Sequence, residues 1–192
     1  MPAYCPFSID PLSNPIRALI RGLDLTETVN RDALLDIRSA WSRYLVLVFE
    51  GQELTPAQQL NFARQLGRVI QYPMVQGLPD YPEIVPVVKL PHETRNFGGV
   101  WHSDTTYLPN PPSATLLLAR ELPPSGGDTQ FANMYLAYDA LSDQTKQVVN
   151  ELTVIQSSAK PRVAKGRSEK VQIGAHAGDI ELTAEHPVVR VH

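Results

Sequence analysis

The sequence predicts a mixed α+β domain in which strands and loops outnumber helices. Its 192 residues include 17 prolines, and many of them cluster where strands would begin or end, notably between residues 109 and 124. Short apolar runs bounded by turn residues predict strands, while two stretches in the first third of the chain have the apolar spacing of helices. The length fits a single domain over residues 1–192 with a buried core.

Three helical regions are expected. Residues 29–44 carry their apolar side chains on one stripe, as an amphipathic helix packed on a sheet would. A second helix is expected between Thr55, a suitable N-cap, and Gly67, a suitable C-cap. The third covers residues 134–152 and is broken near Ser142, whose hydroxyl can cap its second segment.

The expected strands lie between these helices and after them. Residues 45–49 form a short apolar run that predicts a buried strand. The glycine-containing turn at 123–129 predicts a hairpin that joins residues 114–120 to residues 130–132. The two remaining expected strands are 84–90 and 187–192.

The composition excludes several classes of protein. Hydrophobic residues make up 43% and charged residues 19% of the chain, and the formal net charge is −3, which is not typical of a disordered or nucleic-acid-binding protein. Cys5 is the only cysteine, so no intrachain disulfide or thiolate metal cluster can form, and a cytoplasmic location is expected. Neither a signal peptide nor a membrane-spanning segment is predicted.

The strongest candidates for chemistry are His102 and Asp104. On an extended strand, residues two apart point to the same face, so this imidazole and this carboxylate would lie side by side. They would supply two of the three positions of the 2-His-1-carboxylate triad, which holds Fe(II) and leaves coordination sites open. The spacing alone leaves two interpretations open: a metal site, or a polar pair at the surface.

Other polar residues also have both a structural and a functional interpretation. Gly126 and Gly127 predict a tight turn, after which Thr129 either starts a strand or donates its hydroxyl to an anionic co-substrate. Arg120 and a basic loop over residues 160–180 hold either solvated charges or clamps for an acidic substrate. The candidates within the chain for a third metal ligand are the other histidines: His92, His176, His186 and His192.

A longer set of motifs surrounds the candidate pair. These motifs are, in order, the run from Asn96 to Tyr107, Pro111-Pro112, Glu121-Leu122-Pro123 and Gly126-Gly127-Asp128-Thr129. Together they resemble the taurine dioxygenase-like family of Fe(II)- and 2-oxoglutarate-dependent dioxygenases. Residues 54–67 are similar to the family's N-terminal helix, and residues 186–192 to a later family segment.

The resemblance implies a fold and a set of roles. The family's fold is a double-stranded β-helix, or jelly roll, with flanking helices. By their positions in the motifs, His102 and Asp104 would ligate Fe(II), and Thr129 would contact a carboxylate of 2-oxoglutarate. The implied reaction uses O2 to hydroxylate a small anionic organic substrate and releases succinate and CO2. No nucleic-acid or membrane partner is implied, and a homo-oligomer is allowed.

Two family elements match no residue of this sequence, and a third segment differs from the taurine-oxidising members. In the family, the third ligand is a histidine, and an arginine binds 2-oxoglutarate. Both residues follow the segment that residues 186–192 resemble, so both are expected beyond His192. The jelly roll is therefore expected to be incomplete at its C-terminus. In taurine-oxidising members a histidine and a tyrosine help hold the sulfonate, whereas the corresponding stretch here reads Gln71-Tyr72-Pro73-Met74-Val75. Taurine is therefore not the expected substrate, whereas other sulfonates, sulfate esters, aryloxyacetates, small carboxylates and natural-product intermediates stay open.

Two alternative functions belong to other classes. The chain could be a catalytically silent, truncated fragment or pseudoenzyme of the same family that acts only by binding a partner through uncovered strands. It could also be a metal hydrolase in which His102 and Asp104 hold zinc and activate water, a reaction that needs neither O2 nor a 2-oxo acid.

Overall fold

The computed structural model contains both helices and strands, which confirms the prediction of a mixed fold. It describes residues 7–12, 16–94, 99–159 and 181–191. The chain divides into two compact units. The first comprises Met1–Val69 and Leu116–Asp139, and the second comprises Ile70–Thr115 and Ala140–His192.

Helix α1 (Arg31–Tyr44) of the first unit confirms the helix predicted over residues 29–44. It begins after Asn30, whose side chain accepts a hydrogen bond from the Ala33 backbone N–H and so satisfies one unpaired donor of the first turn. It ends at Leu45, which has a φ of +65° and donates its N–H to the Trp41 carbonyl. This left-handed residue stops the helix and turns the chain towards the next strand.

Helix α2 (Pro56–Leu66) has the ends that the sequence predicts. The Thr55 hydroxyl accepts from the Gln58 N–H, and the Gln58 side chain accepts from the Thr55 N–H, so the two residues form a capping box. At the other end, Gly67 donates its N–H to the carbonyl of Ala63. Arg38 of α1 donates to the Leu66 carbonyl at 2.6 Å, which ties the two helices together.

A three-stranded sheet completes the main layer of the first unit. Strand β2 (Ala18–Arg21) lies in the middle, antiparallel to β1 (Ser8–Pro11) and parallel to β3 (Leu47–Phe49). The prediction of a strand over 45–49 is therefore confirmed from Leu47 onwards. Strands β1 and β2 were not predicted from the sequence, because each is only four residues long.

The core of the first unit lies between this sheet and the two helices. Its largest fully buried side chains are Ile20, Ile37 and Phe62. The Phe62 ring meets the Phe49 ring edge to face, with 5.4 Å between the ring centroids. Aromatic pairs favour this arrangement, so the contact adds to the free energy gained by burial.

The hairpin predicted after residue 114 is only partly present. Neither residues 114–120 nor residues 130–132 belong to a ladder in the described part of the chain, so the strand predictions there are wrong. Leu116 and Leu118 nevertheless pack against the first unit's core, as alternate residues of an extended chain would. Gly126 and Gly127 both have the positive φ expected of them, and a bend at residues 124–125 precedes them.

The strand predicted at 84–90 is also wrong. This segment follows tight turns at residues 79–83, and its Ile84 N–H is bonded to the Tyr81 carbonyl rather than to another strand. An apolar run becomes a strand only when a neighbouring segment is in position to pair with it, and proline at residue 86 has no N–H to offer such a neighbour.

Helix α3 (Met134–Asp139) belongs to the first unit, and helix α4 (Asp143–Glu151) to the second. The break between them lies where the sequence predicts it. Ser142 is the N-cap of α4, and its hydroxyl accepts from the Thr145 backbone N–H. The prediction of two helical segments separated near residue 142 is therefore confirmed.

The second unit contains an antiparallel pair of strands, β4 (Thr153–Ser157) and β5 (Thr183–Pro187). The sequence predicts a strand that starts at Pro187, whereas β5 ends at this residue and a bend follows. One further backbone hydrogen bond joins the Val188 N–H to the Leu152 carbonyl. The start of the predicted strand is therefore wrong, because pairing with β4 begins several residues earlier.

Several sequence-based expectations lie outside the described residues. They concern the basic loop over 160–180 with His176, and also Cys5 and His192. Among the residues that the structure describes, no helix is long and apolar enough to cross a membrane.

We expect Phe62→Ala to lower the free energy of unfolding by about 3–5 kcal/mol, because it removes a fully buried ring and leaves a cavity. Urea denaturation followed by circular dichroism measures this change. Leu35→Ala on the exposed face of α1 is the control and should change the same quantity by less than about 0.5 kcal/mol. Equal losses in the two variants would contradict the assigned core.

Candidate metal centre

His102 and Asp104 lie side by side in the second unit. Nε2 of the imidazole is 3.2 Å from Oδ1 of the carboxylate. The two side chains are 49% and 52% exposed, so a ligand can reach them from solvent. The closeness expected from their spacing is present, although in the described structure residues 101–104 are outside any strand ladder.

A hydrogen bond on the far side of the ring orients His102. Its Nδ1 lies 2.7 Å from the carbonyl oxygen of Val100, and a ring nitrogen can donate to this oxygen only if it carries hydrogen. In the singly protonated ring, Nε2 therefore has the lone pair, and this atom faces Asp104. Metal-ligating histidines commonly donate their other N–H to a backbone carbonyl in this way.

The contact between His102 and Asp104 is favourable when positive charge lies between its two atoms. A lone pair and a carboxylate oxygen repel each other at 3.2 Å, and a proton or a metal ion between them removes this repulsion. Two ligand atoms at right angles, each about 2.1 Å from a divalent first-row metal, are about 3.0 Å apart. The pair therefore fits a metal ion, and the same distance also suits an ion pair between imidazolium and carboxylate.

The second carboxylate oxygen of Asp104 has a hydrogen bond of its own. Thr115 donates its hydroxyl to Oδ2 at 2.6 Å. Each member of the candidate pair is thus bonded on the side away from the other, His102 to a carbonyl and Asp104 to a hydroxyl. The sequence offered no signal for Thr115, because a threonine at the start of an apolar run is ordinary and its contact spans eleven residues.

The turn that follows Asp104 is held by strands β4 and β5. His186 in β5 places Nε2 at 2.9 Å from the Thr106 carbonyl and 3.1 Å from the Leu108 carbonyl. Gln156 in β4 accepts from the Thr106 hydroxyl at 3.3 Å. The register pairs His186 with Val154, so His186 and Gln156 lie on the same face of the pair. This face fixes the backbone immediately after Asp104.

Thr105 has an unusual conformation within this turn. Its φ is +49°, which is uncommon for a β-branched residue, and its side chain is buried. Within the described residues, its hydroxyl has no hydrogen-bond partner. Its carbonyl accepts from the Leu108 N–H at 3.0 Å, closing the turn. Strained residues of this kind persist only where the surrounding structure holds them in place.

A third metal ligand is not found in the part of the chain that the structure describes. No group of three histidine, cysteine, aspartate or glutamate side chains is arranged there to hold a metal ion. His186, one of the sequence candidates, directs Nε2 at two carbonyl oxygens. His176 and His192 lie outside the described residues.

The two other polar candidates belong to the first unit. Thr129 is exposed and lies in an extended segment that follows the turn at Gly126 and Gly127. Arg120 donates a hydrogen bond to the backbone carbonyl of Leu54, just before helix α2. Arg120 therefore has a structural role within its own unit, and its interpretation as a substrate clamp loses support.

Residues 71–75 contribute mainly to packing. Met74 and Val75 are buried, at 6% and 3% exposure. Gln71 is exposed and Tyr72 is half-buried. The polar side chains available here are thus an amide and a phenol, and neither provides a positive charge for an anion.

A separate cavity of about 450 Å³ in the first unit is unsuited to an anion. It is lined by residues 22–24, 26 and 50–53, which include the carboxylates of Asp24, Glu50 and Glu53. The Thr26 hydroxyl and backbone N–H donate to Asp24 and lower the pKa of its carboxyl, which favours its negative form. Arg21 nearby already pairs with Asp10 and Glu50.

Comparison with known proteins identifies the family. The model of the taurine catabolism dioxygenase TauD, TfdA family matches residues 8–192. The chain belongs to this family. The matched range includes His102 and Asp104 of the second unit and Thr129 of the first unit.

Individual relatives agree with this assignment. The (S)-phenoxypropionate/alpha-ketoglutarate-dioxygenase of Sphingobium herbicidovorans is 30% identical over 97% of this chain and 67% of its own length. A taurine dioxygenase from Burkholderia xenovorans superposes with a TM-score of 0.73 at 33% identity, covering 97% of this chain and 60% of that one. The crystal structure of AAD-2 with Mn(II) and N-oxalylglycine gives a TM-score of 0.71 at 29% identity, with coverages of 97% and 65%.

The chain is shorter than these family members. It spans 67% of the phenoxypropionate enzyme and 60% of the taurine dioxygenase, although nearly all of its own length is matched in both. Enzymes of this family use Fe(II) and 2-oxoglutarate. The family assignment therefore rests on almost the whole of this chain, which corresponds to 60–67% of the length of these two relatives.

We expect the neutral His102 ring to carry its hydrogen on Nδ1, because this nitrogen donates to the Val100 carbonyl. Metal-free protein labelled with ¹⁵N at histidine and studied by NMR at about pH 8.5, above the usual range of imidazole titration, reports the tautomer. His102→Gln identifies the resonance. A His102 ring with hydrogen on Nε2 would contradict the orientation assigned to the candidate site.

Proposed function

We propose that this chain carries the His-x-Asp part of the active site of an Fe(II)- and 2-oxoglutarate-dependent dioxygenase. The main support is the 3.2 Å contact between Nε2 of His102 and Oδ1 of Asp104. Both atoms can bind a metal ion. When the neutral His102 ring carries its hydrogen on Nδ1, neither Nε2 nor Oδ1 has a hydrogen with which to form a hydrogen bond to the other. Membership of the dioxygenase family makes Fe(II) the proposed ion.

The proposed roles follow from donor chemistry. His102 would hold the metal through Nε2 and Asp104 through Oδ1, while their outer hydrogen bonds keep both groups in this orientation. When bound, Fe(II) with 2-oxoglutarate supplies the activation of O2 that hydroxylation needs. The triad requires one more histidine, which would come from outside the described residues.

Thr129 is the proposed contact to 2-oxoglutarate. It follows the turn at Gly126 and Gly127, whose positive φ values orient the backbone just before it. Its side chain is exposed in the first unit, so its hydroxyl is available to donate to a carboxylate. A residue in this role would contribute to co-substrate affinity without contributing to metal affinity.

The proposed fold of the whole protein is the double-stranded β-helix. The support is the similarity to taurine dioxygenase, at a TM-score of 0.73 over 97% of the chain. The extended segment at 114–120 and the pair of β4 and β5 would belong to this fold. In such a barrel the ligand site lies within the mouth between strands.

The proposed substrate is a small organic anion. The relatives are described as acting on phenoxypropionate, a carboxylate, and on taurine, a sulfonate. In both substrates an acidic group is attached to a short carbon chain.

We expect anaerobic addition of Fe(II) and 2-oxoglutarate to produce the visible charge-transfer band of the chelate, because the pair would leave sites open for a bidentate co-substrate. His102→Ala and Asp104→Asn should each weaken metal binding by more than about 100-fold, since loss of a ligand exceeds the usual effect of an outer contact. Thr129→Val should weaken 2-oxoglutarate binding while leaving metal affinity unchanged.

Three other outcomes would favour different conclusions. A chain without the band and without succinate release in air would support the catalytically silent alternative. Turnover that needs neither O2 nor 2-oxoglutarate would support the zinc hydrolase. A band of equal intensity in the wild type and in Asp104→Asn would contradict the assigned ligands.

We expect aryloxy carboxylates and alkyl sulfonates to increase succinate release in air, and their neutral amides to have little effect, because the acidic group would orient the substrate. Succinate measured with and without each compound tests the substrate class. Equal stimulation by an acid and its amide would show that substrate charge is not recognised.

A further inference from the structure

We propose that Thr115 is a positioning residue for the metal site, whose hydroxyl holds Asp104 so that Oδ1 alone faces the metal. The inference rests on the proposed function, because it concerns the carboxylate assigned as a ligand. It extends that function by assigning a role to a residue that lies outside the His-x-Asp motif.

The geometry of the Thr115 contact is that of a strong hydrogen bond. The distance between its Oγ1 and Oδ2 of Asp104 is 2.6 Å. Hydroxyl donors to ionised carboxylates lie at about 2.5–2.7 Å and form bonds roughly twice as strong as neutral ones. The distance suits a bond to the carboxylate form of Asp104, which is also the form that binds metal.

The two oxygens of Asp104 have different environments as a result. Oδ2 is engaged by Thr115, whereas Oδ1 is turned towards Nε2 of His102. Asp104 is 52% exposed, so packing alone does not hold its carboxylate in one orientation. Without the hydroxyl, the group could rotate or offer both oxygens to the ion, which would occupy a coordination site needed by the co-substrate.

The other proposed ligand, His102, is also held by a hydrogen bond on the side away from the metal position. The Val100 carbonyl accepts from Nδ1 of His102, as the Thr115 hydroxyl donates to Asp104. Both near-side atoms are thereby aligned before a metal arrives, and prealigned ligands lose less conformational entropy on binding. Because a backbone carbonyl cannot be removed by substitution, Thr115 is the outer contact that mutagenesis can test.

Binding of Mn(II) alone to the 192-residue chain tests the proposal without turnover. The EPR signal of free aqueous Mn(II) reports the fraction bound at each protein concentration. Thr115→Val keeps the branched shape and removes the hydroxyl, so we expect about 10-fold weaker binding, within the range usual for outer contacts of metal ligands. Thr115→Ser retains the hydroxyl and should bind within about threefold of the wild type.

Two controls separate this role from a general effect on the fold. Thr145→Val removes another threonine hydroxyl from the same unit, one that lies 2.9 Å from the Ser142 hydroxyl rather than beside Asp104, and should leave Mn(II) affinity unchanged. In an Asp104→Asn background, Thr115→Val should cause no further loss, because Thr115 is proposed to act only through that carboxylate. Thermal unfolding of the metal-free variants shows whether each one is folded.

The outcomes distinguish the inference from the function on which it rests. Normal Mn(II) affinity in a folded Thr115→Val variant, with weakened binding in Asp104→Asn, would overturn the role of Thr115 and keep the metal site. Equal binding by the wild type and Asp104→Asn, or no binding by either, would overturn both. Weakened binding in Thr115→Val and Thr115→Ser alike would show that the hydroxyl is not responsible.

Discussion

The short contact between Nε2 of His102 and Oδ1 of Asp104 is the interaction on which the candidate site depends. Nε2 and Oδ1 lie 3.2 Å apart, and hydrogen bonds on the outer sides of both groups keep them there. Acceptor atoms in such an arrangement are stabilised by a bound cation or proton. The hydrogen bonds from His102 to Val100 and from Thr115 to Asp104 are therefore as much a part of the candidate site as the two proposed ligands.

The backbone beside this pair is held by more distant contacts. Thr105 has a positive φ, and a non-glycine residue in this region costs of order 1–3 kcal/mol. His186 and Gln156 bond to the adjacent turn, and hydrogen bonds of this kind contribute about 1 kcal/mol each. The contacts from β4 and β5 are thus of the right magnitude to offset the strain. His186, a candidate ligand by residue type, has a structural role instead.

Features with a local cause could be predicted from the sequence. Helix α2 follows from the capping box of Thr55 and Gln58, and the break at Ser142 follows from its capping hydroxyl. Strands were predicted less well, because a strand exists only where a partner accepts its hydrogen bonds. Residues 114–120 have the alternation of a strand and pack like one at Leu116 and Leu118, yet within the described structure no neighbour pairs with them.

The sequence by itself determined the family, the helix ends and the identity of the His-x-Asp pair, because these depend on residue types at short spacing. Only the tertiary structure decided which atoms of the pair face each other and what holds them. The contacts of Thr115 with Asp104 and of His186 with the turn at 105–108 span 11 and about 80 residues. Such contacts depend on how the chain folds back on itself, which short-range spacing does not encode.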